Sequence, residues 1–240
     1  MKKFLYITFL LLAVSSGIAK GQAALLVLIF GEKAATENFY FSLKIGASYS
    51  MITNVEDGKY RPGANFGLIN NIRINDRLFL TPEFLALAPR GVKDVPVLTT
   101  GNPNLDELLV DPSSTDRKLT YIDIPVLLRY NLTERFKISA GPQLSFLTGA
   151  TDIYYSEPID GTVLQTEIDI KEKISSFDLG GVLDISYLFS KPHGGKGMVI
   201  YLRYNLGFMD MVKENTGDPY RNSAIQFGAA FPFIEKPGGE

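Results

Sequence analysis

Residues 119–149 read LTYIDIPVLLRYNLTERFKISAGPQLSFLTG, two alternating runs joined by a turn of a few residues. In the first run Ile122, Ile124, Val126, Leu128 and Tyr130 share one side, and Tyr121, Asp123, Pro125, Leu127 and Arg129 share the other. The period of two is that of a β-strand. In the second run Phe136, Ile138, Ala140, Pro142, Leu144 and Phe146 oppose Lys137, Ser139, Gly141, Gln143 and Ser145, with Asn131 to Glu134 as the turn.

The same unit recurs on both sides of this hairpin, giving about eight segments from Phe39 onward and no stretch of sustained helical period. Before it lie 39–49, 63–74 and 78–88; after it lie 176–189, 198–208 and 222–233. Asn70 and Ile69 break the pattern of the second segment, and Leu85 and Leu87 blur the third. Pro82, Pro125 and Pro142 fall inside strands, where each removes a ladder donor, and bulges are expected there.

The connections sort into two kinds. Asn75 with Asp76, 131–134 and 190–196 are short, whereas 50–62, 89–118, 150–175 and 209–221 are longer and polar. Short and long alternate strictly, so the long loops leave one rim, and the short turns and both chain ends leave the other. That asymmetry, with an even strand count, belongs to outer-membrane barrels. The expected fold is therefore all-β: an eight-stranded antiparallel up-and-down transmembrane β-barrel with an N-terminal signal peptide.

Alternation alone also fits a soluble barrel with an oily interior, and the charges separate the two. Turning the non-apolar face inward gathers Lys44, Arg73, Arg129 and Arg203 beside Glu83, Asp123, Asp178 and Asp184. Four cations and four anions make a poor hydrophobic core. An eight-stranded lumen is just wide enough for side chains to fill, so they are expected to pair as a structural ion network while lipid wets the apolar face. A balanced plug of this kind argues against a selective pore. Segments of about 11 residues also match the span a tilted strand needs to cross a bilayer. Phe39, Tyr40, Tyr49, Tyr130, Phe136, Phe177, Tyr187, Phe189, Phe208 and Phe233 gather near strand ends, as interfacial belts do. Tryptophan is absent.

The N-terminus bears on export. Lys2 and Lys3, the apolar run 4–14 and Ala19-Lys20-Gly21 fit a secretory signal cut before Gln22. Removing it takes three of the 24 basic residues, leaving 21 against 26 acidic ones and a net charge of about -5. The expected organisation is a signal peptide over 1–21, a linker over 22–38 (or a longer signal ending near 34), a barrel over 39–234 and a tail over 235–240. The apolar run 23–30 is too short for a spanning helix. No basic stripe points to nucleic acid. The absence of cysteine excludes disulfides, thiol chemistry and lipidation on that residue.

Several short stretches carry a family likeness: Phe41 to Ala47 (FSLKIGA), Tyr121-Ile122-Asp123-Ile124-Pro125, Ala140-Gly141-Pro142, Phe177-Asp178-Leu179-Gly180 and a closing aromatic strand. Over nearly the whole mature chain this resembles the PorT-like outer membrane β-barrel family of Bacteroidetes-type bacteria. The resemblance implies an outer-membrane location; the name-giving branch is implicated in export of secreted proteins by a dedicated machinery.

Candidates for chemistry are few. His193, the single histidine, sits in the turn-like Lys191-Pro192-His193-Gly194-Gly195 without an evident nucleophile or orienting group. No histidine and cysteine spacing suits a metal. Asp152, Glu157 and Asp160, or Asp106, Glu107 and Asp111, are acidic sets that could hold calcium, but solvated loop acids explain them better. No catalytic, cofactor or metal site is assigned and no cofactor is expected. The expected function is non-enzymatic, either structural or partner-binding, with an envelope protein contacted through loops 89–118 and 150–175 and outer-membrane lipid around the wall. A narrow channel, or an accessory part of a secretion or transport apparatus, is the alternative. A lipid-modifying enzyme is a third class with little in its favour.

Overall fold

The strands follow from residues whose neighbours differ in polarity at every step, and their ends follow from side chains that turn the backbone. The computed structural model describes residues 38–55, 57–95, 114–155, 165–189 and 197–232. Nine strands form within them: β1 (Phe39–Ile52), β2 (Lys59–Arg73), β3 (Leu78–Lys93), β4 (Ser114–Asn131), β5 (Phe136–Tyr155), β6 (Gln165–Asp169), β7 (Phe177–Leu188), β8 (Val199–Gly207) and β9 (Asn222–Pro232). Eight pair antiparallel in chain order, and β9 returns to β1 with Gly46 opposite Gly228, closing the barrel. The short β6 is the outer continuation of β7. Both lie on β5, which pairs with β7 from Phe136↔Tyr187 to Phe146↔Phe177 and with β6 from Thr151↔Asp169 to Tyr155↔Gln165. A 3-10 turn at Lys171–Lys173 separates them.

Two of the short turns use one device. In 75–78 the Asn75 side-chain oxygen accepts from the Arg77 and Leu78 amides at 3.0 and 2.9 Å. In 133–136 the Thr133 hydroxyl accepts from the Arg135 and Phe136 amides at 3.2 and 2.9 Å. Such side chains mimic a backbone turn and reverse the strand with no insertion. The third short turn, with His193, lies outside the described residues, as do 1–37, Phe233 and the C-terminal tail.

The wall is uneven in height. β1 to β5 run 14 to 20 residues, whereas β7 to β9 run 9 to 12. The excess is all at the long-loop rim, where residues expected in loops are strand: 50–52, 59–62, 89–93, 114–118 and 150–155. The 50–62 connection thus shrinks to 53–58. Much of the expected loops 89–118 and 150–175 is barrel wall.

The irregular spots also differ from expectation. The register is kept through Pro82, Pro125 and Pro142; it slips instead between Leu85 and Ala88, between Leu147 and Gly149 and, on β2, between Tyr60 and Phe66. A proline deletes one ladder bond but adds no residue, and only an extra residue shifts a register. At 85–88 the extra residue leaves both Ala86 and Leu87 facing outward, and Ala88, Arg90 and Val92 then resume the inward face. Ile69 and Asn70 do keep the alternation: Ile69 is buried inside and Asn70 takes the outer side.

The outer surface is apolar all round, with Ile45, Phe66, Phe84, Leu128, Leu144, Leu183, Ile185, Leu202 and Phe227 exposed. Exposed apolar area on this scale needs a non-aqueous solvent. At the short-turn rim Phe136 and Tyr187 meet edge-on at 4.9 Å, and towards the other rim Tyr49 stacks on Phe227 at 6.3 Å. Tyr40, expected in a belt, points inward and is buried. It has the parity of Ser42 and Lys44 on β1 and therefore shares their face.

Candidate functional site

The lumen is built in storeys, each set by which residues take the inward parity at that height. At mid-height Lys44 of β1, Glu83 of β3, Asp184 of β7 and Arg203 of β8 form one network. Arg203 donates to both oxygens of Glu83 at 2.7 and 2.8 Å and, through Nε, to Asp184 at 2.9 Å. Lys44 reaches the same Glu83 at 3.2 Å and lies 4.2 Å from the ring centre of Tyr201. Tyr201 donates to Asn65 at 2.8 Å. Its ring needs space, and two glycines provide it. A Cβ on Gly46 would strike the Tyr201 hydroxyl and the Phe227 carbonyl, and one on Gly228 would strike the Ile45 carbonyl. An aromatic laid across facing glycines covers the space their missing side chains leave.

The other four expected site residues stand apart from this network. Asp123 pairs with Arg90 at 2.6 Å. Asp178 accepts from Asn222 at 3.1 Å and from the Met209 amide at 3.4 Å. Arg129 donates to Asn71 at 2.6 Å and to Ser139 at 3.4 Å, both neutral. Arg73 sits at the short-turn rim, bonded to the exposed Asp76.

Sequence reading also omitted charges. Arg90, Arg117, Lys137 and Asp152 are buried and inward, so the lumen holds Lys44, Arg90, Arg117, Arg129, Lys137 and Arg203 against Glu83, Asp123, Asp152, Asp178 and Asp184. Arg117 and Asp152 face each other across β4 and β5, joined by two bonds of 2.9 and 2.8 Å. Asp152 is thereby committed to a guanidinium and is not a loop ligand for calcium; the acids grouped with it lie outside the described residues. Among the described residues no cluster of three or more potential ligands could hold a metal. The clue that could have found Arg90 and Arg117 was in the sequence: the alternation of 88–93 and 115–121 carries on past the bulges.

Above the Arg203 network the interior turns largely apolar, with the Arg90–Asp123 and Arg117–Asp152 pairs set into it. Ile52, Leu85, Ala88, Val92, Leu119, Tyr121, Leu147 and Ala150 from the tall strands pack with Ile170, Ile174 and Met211 from the connections on the low side. Those connections fold inward because they bond to one another. Ser175 donates to the Met211 carbonyl at 2.8 Å, Lys213 donates to the Lys173 carbonyl at 2.9 Å, and Ile174 bridges Val212. The lumen is therefore filled twice, by ion pairs at mid-height and by an apolar lid under the long-loop rim.

Outside the lid, at the outer ends of β2 to β5, Lys59, Lys93, Asp94, Asp116 and Tyr155 line a surface cleft of about 380 Å³. Lys59 and Asp94 meet at 2.8 Å across it, and this contact raises the Lys59 pKa above its ordinary value.

A family described as "Outer membrane protein beta-barrel domain" matches residues 32–213. The match stops before β9, which the structure shows as the closing strand. No curated protein matches the sequence. Among solved structures, Ail, the attachment invasion locus protein of Yersinia pestis, is 13% identical, with 82% of this chain and 99% of that one covered at a TM-score of 0.42. Neisserial surface protein A is 16% identical over 83% and 99% at 0.41. OprG from Pseudomonas aeruginosa is 11% identical over 84% and 99% at 0.36. Likeness at this level adds nothing to the family match or to the geometry of the closed barrel.

Proposed function

Since the chain belongs to the outer membrane β-barrel domain family and resides in the outer membrane, we propose that it is a closed, non-enzymatic barrel that works by presenting its long-loop rim to an envelope or extracellular partner. The observation that carries this reading is the double filling of the lumen. A conducting pore needs a continuous wet path, whereas Arg203, Glu83 and Lys44 occupy mid-height and Ile170, Ile174 and Met211 close the mouth above them. Of the eight charges named from the sequence, Lys44, Glu83, Asp184 and Arg203 act together as a structural anchor and Asp123 pairs with Arg90, whereas Arg73 lies at the rim.

With the bore occupied, what remains for recognition is the tall side of the rim. There the cleft of Lys59, Lys93, Asp94, Asp116 and Tyr155 lies at the outer ends of β2 to β5. The short-turn rim faces the periplasm by the usual orientation of such barrels. Affiliation with the PorT-like branch is part of this proposal and rests on the quoted stretches of sequence. Two measurements test the function. Refolded protein in a planar bilayer should show no discrete conductance, and crosslinking from the outer ends of β3 and β5 in native membranes should capture a specific partner. Steady channel openings by the intact protein would refute the closed reading, and crosslinks to lipid alone would refute the partner reading.

A further inference from the structure

Two of the buried cations have no counter-ion among the described residues. Lys137 and Arg129 are 6% and 7% exposed, and among the described residues neither has a carboxylate within ion-pair distance. They are diagonal neighbours on the inward face, since Arg129 is registered against Ser139 and Asn131 against Lys137. At that separation the guanidinium repels the ammonium. Directly opposite Lys137 on β7 stands Ser186, whose buried hydroxyl also has no partner. The nearest carboxylate along that strand face, Asp184, is turned to Arg203 at 2.9 Å. Three donors on three adjacent strands thus share one inward face with no carboxylate bonded to them among the described residues. Glu83, which feels the Arg129 charge, is held by Arg203 and Lys44. Buried charges are ordinarily paired or hold an ion.

The position suits a ligand that enters from below. Lys137 is the second residue of β5, and Arg129 and Ser186 are each third from the end of their strands, so all three lie just inside the short-turn rim. With Nε and Nη1 of Arg129 already given to Ser139 and Asn71, its Nη2 remains for a ligand oxygen, while an ammonium adds a point charge and a hydroxyl can donate to a further oxygen. We propose that Lys137, Arg129 and Ser186 form a site for a small inorganic oxyanion of the phosphate class, reached through the periplasmic mouth of the barrel.

The test uses the mature chain refolded in micelles of uncharged detergent, unfolded by heat across a series of inorganic phosphate concentrations at constant ionic strength set with chloride. A ligand that binds only the folded state raises the midpoint in a saturable way. Phosphate should do so for the wild type, and chloride alone should not. Without phosphate, Lys137→Met should unfold at a higher temperature than wild type because an unpaired charge is gone, and its phosphate response should be weakened at least tenfold. Lys213→Gln, on the exposed surface, should respond as the wild type does. A wild-type response that is absent, unsaturable or equal for chloride overturns the site, as does an unchanged phosphate midpoint in Lys137→Met. If that variant does not fold, Ser186→Ala, which keeps both charges, is measured in its place; a several-fold weaker response supports the site and an unchanged one overturns it.

Discussion

Replacing Arg203 by methionine tests the mid-height network directly, because methionine fills a similar length of lumen without a charge. The change removes two bonds to Glu83, at 2.7 and 2.8 Å, and one to Asp184, at 2.9 Å. Glu83 keeps Lys44 at 3.2 Å, while Asp184 is left buried with no cation in contact. Breaking a buried pair from one side costs about 3–5 kcal/mol, most of it the stranded charge rather than the lost attraction. Restoring neutrality should therefore recover much of it. In Arg203→Met with Asp184→Asn the remaining charges, Lys44 and Glu83, still pair, and the cost should fall to about 1–2 kcal/mol, close to that of a few missing neutral hydrogen bonds. Urea unfolding in detergent micelles or thin-bilayer vesicles reads both values, followed by circular dichroism or by gel mobility, since the chain has no tryptophan. A single variant costing less than about 1 kcal/mol, the range of exposed pairs, would refute the network as a structural anchor. A double variant costing the sum of the singles would refute the coupling.

Further outcomes follow from the other storeys and from the wall. Ile174→Ala should lose about 2–5 kcal/mol, as large-to-small changes in a packed core do, and Ile174→Asp should speed hydrogen exchange at lumen-facing amides, measured by mass spectrometry. Leu183, 63% exposed on the outer face, should cost about 2–4 kcal/mol as Leu183→Arg in bilayers if it lies near the midplane, and far less in loose micelles. Gly46→Val should block refolding, read as failure to acquire the heat-modifiable gel form, because its side chain would meet the Phe227 backbone. Gly149→Ala should refold normally, since a Cβ there meets nothing within 4 Å.

The closed barrel was legible because its determinants are local. Val126 to Tyr130 and Phe136 to Ser145 state their faces residue by residue, and the Asn75 and Thr133 turns reverse the strand with their own side chains. The inward parity of Lys44, Glu83, Asp184 and Arg203 was readable in the same way. Which of them touch was not, because Glu83 and Arg203 are 120 positions apart and meet only across the bore. Arg90 and Asp152 escaped for another reason: an added residue at 85–88 and another at 147–149 reset the alternation of β3 and β5, while Arg117 keeps the parity of Tyr121 and was missed because the polar composition around it resembles loop.

By itself the sequence determined the eight strands that close the barrel, though not the short β6, together with the antiparallel order, the two kinds of rim and the side that meets lipid. Each follows from a period of two and from turn chemistry acting within a few residues. Only the tertiary structure decided how high each strand rises, where the bulges fall, that Ile170, Ile174 and Met211 join the apolar cluster of the tall strands, and that Lys137 and Arg129 share a face with no carboxylate bonded to either among the described residues. Those outcomes depend on closing the barrel. Closure sets which inward residues share a height, and that juxtaposition is a property of the ring rather than of any strand within it.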